Sequence, residues 1–331
     1  MSEEYLYEWS PGGSLIFRVP GAVSRLDSPG DTATAFGEVR NSHAREVQMD
    51  ATAKRNQLDI VDDVERGLAQ NEFFLVFQPK LRVPEGTLSG FEALLRWRHP
   101  VRGILMPSSF IRVVENSRLS GRFTDFLLAR AAETLADWAA CGYGSLSLAI
   151  NLPVRELARE DLPGKLVRVL AAQAIDTAKL QIELTETTEP GPPDELVAAV
   201  DSVRATGVRV AIDDFGAGYW SLSLLHRLAV DVLKIDRCFI SDIPANARST
   251  VLLQALVRLG QLLGKQVVIE GIETEAQFVW AKSMPQVDCQ GYYISMPVPA
   301  AQIDELVMQH GLVKISGYIQ VISYEPGWTR N

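Results

Sequence analysis

Seven strand-like segments of this chain each carry a carboxylate, an amide or a lysine at or near their ends, and no other feature constrains the fold as strongly. FEALLRW carries Glu92, LSLAIN ends at Asn151, and LQIELTE carries Glu183 and Glu186. VRVAIDD ends in Asp213 and Asp214, and VDVLKID carries Lys234 and Asp236. QVVIEGIE carries Glu270 and Glu273, and DCQGYY carries Gln290. Helical patterns over 107–117, 122–141, 154–174, 192–206, 219–227, 249–264 and 274–283 alternate with these segments. Strands separated by helices form a parallel sheet. In a (β/α) barrel their C-terminal ends share one rim, where such folds keep their chemistry. So many like charges around one mouth repel each other unless cations sit among them, and the pattern therefore asks for metal.

One segment departs from the rhythm. FFLVFQPKLRVPEGTLSGFEALLRW holds two strand-like runs joined by Pro-Glu-Gly, which reads as a hairpin. One strand then runs against the others, so the expected architecture is an irregular (β/α)8 TIM-like barrel with one antiparallel strand. The chain divides into an N-terminal segment over 1–43, broken by Pro and Gly, a barrel over 44–310, and a strand-like tail over 311–331 without a chemical motif. The stretch from Ala44 to Gln70 turns helical, with Leu58, Val61, Val64 and Leu68 near one face.

Composition narrows the chemistry. The 331 residues, 47% hydrophobic and 22% charged, describe a soluble globular protein. No apolar run approaches a membrane span and the start, MSEEYLYEW, is acidic, so a cytoplasmic location is expected. A net charge of −9 argues against a nucleic-acid polymer as partner. It leaves room for a small phosphorylated ligand, because bound cations invert the local field. Cys141, Cys238 and Cys289 lack metal spacing and are expected to be buried free thiols. His43, His99, His226 and His310 fall on none of the strand ends. Ligands that are all oxygen favour Mg²⁺, Mn²⁺ or Ca²⁺.

Each residue also has a plain structural reading. A lone Glu92 is an ordinary rim residue, and Asp213-Asp214 could cap the next helix. Lys234 and Asp236 could form a surface ion pair, and Arg96 could stack on Trp97. Together these readings demand several coincidences on one rim.

The motif Glu92-Ala93-Leu94-Leu95-Arg96-Trp97 resembles the EALxRW motif of the EAL domain, a family of bacterial cyclic-di-GMP phosphodiesterases. Eight more blocks accompany it in order: FQP (77–79), HPxxGxxxPxxFI (99–111), AIN (149–151), ELTE (183–186), DDFGAGYxSL (213–222), VDxLKID (230–236), EGIE (270–273) and QGYY (290–293). A single tripeptide carries no weight, but this ordered set does. The resemblance implies an irregular barrel that binds cyclic di-GMP and hydrolyses one phosphodiester to linear pGpG with two Mg²⁺ or Mn²⁺ ions. By position, Glu92, Asn151, Glu183 and Asp213 match ligands of one metal. Asp213, Asp214 and Glu270 match ligands of the second. Lys234 matches the lysine beside the attacking water, and Gln290 belongs to the same shell. Gln78, Leu94 and Arg96 match substrate-binding positions, with Arg96 on a phosphate. Glu186 and Glu273 match supporting residues, Glu186 steadying the loop from Phe215 to Ser221. The family commonly forms a homodimer near that loop.

The sequence leaves the family pattern at Ala217 and Trp220, where DDFGTGYSSL is usual, and at Pro153, Met296 and Arg112. None is an expected metal ligand. Two functions compete: an active phosphodiesterase, and a non-catalytic cyclic-di-GMP receptor that signals by conformation. A bare interaction scaffold is disfavoured because no ligand carboxylate is missing.

Overall fold

Period-two alternation decides which side chains meet. The computed structural model describes residues 6–9, 15–18, 60–83, 85–185, 192–218 and 220–311. The expectations for Glu186, for the tail beyond Gly311 and for most of the N-terminal segment lie outside them. Within a unit over residues 1–57, β1 (Leu6–Trp9) and β2 (Leu15–Arg18) form an antiparallel hairpin.

The second unit begins with a helix, α1, over residues 60–69. β3 (Phe73–Val83) and β4 (Thr87–His99) then pair antiparallel, as a short connection requires. Gly86, with φ of 69°, takes the left-handed turn between them. β5 (Gly103–Leu105) adds to β4 outside the ring. The ring continues through β6 (Ser147–Pro153), β7 (Leu180–Thr185), β8 (Arg209–Phe215), β9 (Val232–Ile235), β10 (Gln266–Ile269) and β11 (Val287–Cys289). All pairings from β4 through β6 round to β11 are parallel, and β11 closes antiparallel on β3. The fold is thus an eight-stranded irregular barrel in which β3 alone is reversed.

Alternate residues face outward and build the core: Leu148, Ile150 and Leu152 on β6, Ile182 and Leu184 on β7, Val210 and Ile212 on β8. They pack against α3 (Ser120–Ala140), whose Phe123, Leu127, Ala131, Leu135 and Trp138 recur at helical spacing, and against Leu196, Val200 and Val203 of α6 (Pro193–Arg204). The intervening residues point into the lumen, where Ala211, Val232 and Val268 form a small apolar cluster of their own.

Local chemistry shifts several expected boundaries. The helical pattern over 107–117 resolves into a 3-10 turn at Pro107–Ser109 and a short α2 (Ile111–Glu115). The expected helix over 154–174 breaks into α4 (Val154–Leu157) and α5 (Leu162–Ala172), because Pro163 lacks the N–H needed inside a helix and is accepted in a first turn. α7 (Leu222–Arg227) starts late, capped by Ser221 accepting from the Leu224 N–H. α8 (Ala247–Leu262) starts at the Asn246 cap. α9 (Glu275–Lys282) opens on a Thr274–Gln277 capping box, and α10 (Ile303–His310) completes the described residues.

Two expectations are corrected, and one departure from the family loop finds its structural reason. Cys141 and Cys238 are exposed, and only Cys289 is buried. His99 does end a strand, because β4 runs thirteen residues. Its Nδ1 accepts from the Val101 and Arg102 N–H groups, and its Nε2 lies 3.3 Å from Asp63, so its role is structural. Trp220, weighed above only as a departure from the family loop, is 4% exposed and sits in the main core cluster. It offers no surface to a dimer partner.

Trp220 Nε1 is buried without an acceptor among the described residues. Trp220→Phe discards that orphan donor and keeps an aromatic ring, whereas Trp220→Ala opens a cavity worth about 3–5 kcal/mol. Urea denaturation should show Trp220→Phe losing less than half of what Trp220→Ala loses. Equal losses would mean that the indole N–H is satisfied.

Candidate metal and catalytic site

The lumen-facing residues at the C-terminal ends of the strands converge on one ammonium. Lys234 on β9 is 1% exposed. Its Nζ lies 3.2 Å from Glu92, 2.7 Å from Glu183, 2.8 Å from Asp213 and 2.7 Å from Glu270. An ammonium has three protons, so four carboxylates exceed what it can satisfy at once. The carboxylates fall into two groups whose oxygens lie within 4.8 Å of one another: Glu92, Glu183 and Asp213, and Asp213, Asp214 and Glu270. Asp213 belongs to both.

Amides fix the geometry around them. Asn151 Nδ2 donates to Glu92 at 2.7 Å, which leaves Asn151 Oδ1 buried without a partner among the described residues. Gln290 Nε2 donates to Glu92 at 2.8 Å and to Gln78 Oε1 at 2.9 Å, and Gln78 Nε2 donates to the Ser295 carbonyl at 3.3 Å. Gly291 follows Gln290 because any Cβ there would collide with the Ile272 backbone. Asp214 has φ of 49° and Gly216 has φ of 96°, so the chain bends sharply at the end of β8. Aspartate tolerates the left-handed region better than most residues, and Gly216 leaves room for the Phe239 ring.

Charge balance is unfavourable. Burial pushes Glu183 up despite Lys234, and burial holds Glu270 well above the usual carboxylate range. Burial and the adjacent Asp213 and Asp236 carboxylates raise Asp214 to about 7. Burial acts on Glu92 in the same sense, but Lys234 and the amides of Asn151 and Gln290 bring it below the usual value. Burial alone would lower Lys234, and the four carboxylates raise it well above its ordinary value. A cluster in this state attracts further positive charge.

A cavity of about 280 Å³ opens over the cluster. Gln78, Glu92, Leu94, Asp213, Asp214, Lys234, Glu270, Glu273 and Gln290 line it, so most residues expected from the sequence share one mouth. Arg96 stands apart from that lining. Its guanidinium donates to the Leu95 carbonyl at 2.7 Å, partial burial lowers its pKa, and the Tyr292 phenol opposes that shift. Glu273 is exposed, and its backbone N–H donates to Gln277. The plain structural readings fail for this rim: Ser221 rather than Asp213 or Asp214 caps α7, and Lys234 pairs inside the barrel rather than on the surface. Trp97 stacks on Phe73 at 5.0 Å, and Arg98 rather than Arg96 lies over an aromatic ring, that of Phe74.

Sequence reasoning missed the layer beneath. Lys80 Nζ lies 3.4 Å from Glu183 and Gln181 Nε2 donates to the same Glu183 oxygen at 2.8 Å. Both sit two residues from a recognised position, Gln78 or Glu183, so strand periodicity placed them on the lumen face. Arg237 and Tyr292 also line the mouth.

Comparison with known proteins agrees with this geometry. The EAL domain model matches residues 61–297, and the chain belongs to that family. It is 33% identical over 258 residues to the bifunctional diguanylate cyclase/cyclic di-GMP phosphodiesterase MucR of Pseudomonas aeruginosa, covering 78% of this chain and 38% of the relative. It is 34% identical over 251 residues to the cyclic di-GMP phosphodiesterase NbdA of the same organism, covering 76% and 32%. The chain thus spans about a third of the length of the curated relatives it matches. Among solved structures, the Pseudomonas aeruginosa MucR phosphodiesterase in complex with c-di-GMP aligns with a TM-score of 0.68 and 32% identity, over 74% of this chain and 99% of that one. An EAL domain protein from Listeria monocytogenes aligns with a TM-score of 0.63 and 27% identity, over 74% and 96%.

Neutralising one of the crowded carboxylates should stabilise the metal-free protein. Glu270→Gln removes a carboxyl whose ionised form burial and its acidic neighbours disfavour, while Lys234 keeps three partners, and a gain of about 1 kcal/mol is expected, as for other sites where function opposes stability. Thermal unfolding in chelator checks this, and a lower melting temperature would show that the Lys234–Glu270 pair outweighs the repulsion.

Proposed function

We propose that this domain hydrolyses one phosphodiester bond of cyclic di-GMP to linear pGpG with the aid of two divalent cations, Mg²⁺ or Mn²⁺. The observation that carries the reading is the pair of carboxylate groups sharing Asp213, with the unpartnered Asn151 oxygen beside the first. Those donors are all hard oxygens, which fits Mg²⁺ or Mn²⁺. Glu92, Asn151, Glu183 and Asp213 would hold one ion, and Asp213, Asp214 and Glu270 the other. When bound, the ions would supply neutralisation of charge on the phosphoryl group and acidification of water.

The chain's own residues would do the rest. Lys234 stands within 3.2 Å of four of these carboxylates, and would orient water and stabilise charge by donating. Gln290, fixed on Glu92 and Gln78, keeps its Oε1 buried and free of a partner among the described residues, and so can accept from the same water. Leu94 and Tyr292 line the cavity and offer apolar and aromatic surface to a nucleobase. Arg96, outside the carboxylate cavity, would take a phosphate away from the reacting centre. Relatives and a solved neighbour named for cyclic di-GMP support the substrate. The receptor reading gains no support from the cluster, because no carboxylate is missing from the two groups that could hold cations. A homodimer belongs to the proposal, with sedimentation as its test.

Incubation with cyclic di-GMP and Mg²⁺ or Mn²⁺, followed by chromatography, should yield pGpG. Ca²⁺, looser in geometry, should support little turnover. Product formed at an undiminished rate in excess chelator would sink the reading.

Substitutions should separate the roles. Glu92→Ala and Asp213→Asn should lose activity by about two orders of magnitude or more through lost metal affinity. Lys234→Ala should keep metal and ligand binding but turn over poorly, and Arg96→Ala should raise KM more than it lowers kcat. Full kcat in Lys234→Ala would remove Lys234 from the chemistry.

A further inference from the structure

The floor of the site carries a second buried cation that the proposed chemistry does not use. Lys80 on β3 is 4% exposed, and Glu183, which it meets at 3.4 Å, is fully buried. The Glu183 oxygen facing Lys80 also accepts from Gln181, while the other faces Lys234 at 2.7 Å. Lys80 acts electrostatically on Glu92 as well, so it touches or influences two members of the first carboxylate group. The next acid below, Asp288, is already engaged by Gln266 at 2.6 Å and Arg82 at 3.6 Å. Lys80 is thus committed upward, to the metal site. The two lysines differ in position. Lys234 lines the open cavity, whereas Lys80 is absent from its lining and pairs opposite Gly90, one lumen-facing step below the Gln78–Glu92 pair.

We propose that Lys80 is a fixed counter-charge of this site, stabilising the carboxylates when no metal is bound and lowering the affinity of the Glu92, Glu183 and Asp213 group for a divalent cation. The proposal rests on reading that group as metal ligands. An ammonium anchored in the floor cannot move away as a cation arrives, so it repels that cation in the bound state and replaces part of its attraction in the free state. Coulomb interaction between charges a few ångströms apart, even at the effective dielectric of a protein, exceeds what about a tenfold change in affinity requires.

The test measures metal, not turnover. The full chain and its Lys80→Met and Lys80→Gln variants are titrated calorimetrically with MnCl₂ without nucleotide, and melted in chelator and in saturating Mn²⁺. Lys80→Met removes the charge at similar length, and Lys80→Gln keeps a donor near Glu183. Both variants should melt lower than the parent in chelator, bind Mn²⁺ about tenfold more tightly, and approach the parent's melting temperature in Mn²⁺. A merely structural lysine would lower melting in both conditions and leave Mn²⁺ affinity unchanged or weaker. Unchanged or weaker affinity in a folded variant overturns the proposal, as does a chain that folds neither with nor without Mn²⁺. A parent that binds no Mn²⁺ overturns the metal reading and this proposal together, whereas a parent that binds beside unaltered variants overturns this proposal alone.

Discussion

The structure is organised around an electrostatic imbalance that only a closed barrel can hold. Glu92, Glu183, Asp213, Asp214 and Glu270 gather around Lys234, with Lys80 below, so five carboxylates face two ammonium groups, an excess of three negative charges when all are ionised. Unpaired buried charge costs several kcal/mol per ion even after relaxation. The cluster relieves part of this by raising Glu183, Glu270 and Asp214 toward the protonated form, and part through the amides of Asn151, Gln181 and Gln290. The remainder is borne by the outward face of the same strands. Each polar residue in the lumen has apolar neighbours one position away, and the alternation that concentrates charge inside supplies the core outside.

Backbone geometry at the rim reflects the same demand. β8 must deliver two consecutive acids, yet alternation would send Asp213 and Asp214 to opposite faces. The left-handed turn at Asp214 breaks the alternation, and both carboxylates join groups that include Asp213. Gly216 then lets the chain pass the Phe239 ring, and Trp220 anchors the following loop in the core before Ser221 opens α7. The departure from the family at Trp220 is thereby absorbed as packing.

Much of this was legible in the sequence, for a specific reason. Strand ends are short, alternating and marked by the residue type they present, so Glu92, Asn151, Glu183, Asp213, Lys234, Glu270 and Gln290 stood out by place. The antiparallel hairpin was legible from the Pro-Glu-Gly turn. Lys80 and Gln181 were not seen because they lie mid-strand, where a polar residue signals a function only once the lumen around it is known. The break at Pro163 was hidden by an amphipathic pattern that continues in phase on both sides. Exposure of Cys141 and Cys238 was illegible because it depends on what packs over the end of α3 and over the 3-10 turn that follows β9. Arg96 was placed correctly on β4 and on the face of Glu92 and Leu94, but it lies further along the strand and does not line the carboxylate cavity, which motif spacing alone does not tell.

The interior of the barrel also limits where specificity can reside. Ala211, Val232 and Val268 form an apolar layer in the lumen. Toward the N-terminal ends of the strands the polar groups satisfy one another, Arg209 on Gln266, Gln266 on Asp288 and Arg82 on Asp288. The carboxylates are therefore approached from one side, the cavity lined by Leu94, Arg237, Glu273 and Tyr292. Arg237, Glu273 and Tyr292 stand on connections after the strands, and Leu94 lies within β4, two residues beyond Glu92. The strand ends hold charge in a fixed arrangement suited to cations, and on the proposed function the surrounding mouth is where the substrate is selected. On the proposed function, a change of substrate would be made at that mouth, because the lumen beneath it is filled by the apolar layer and by polar groups that pair with one another.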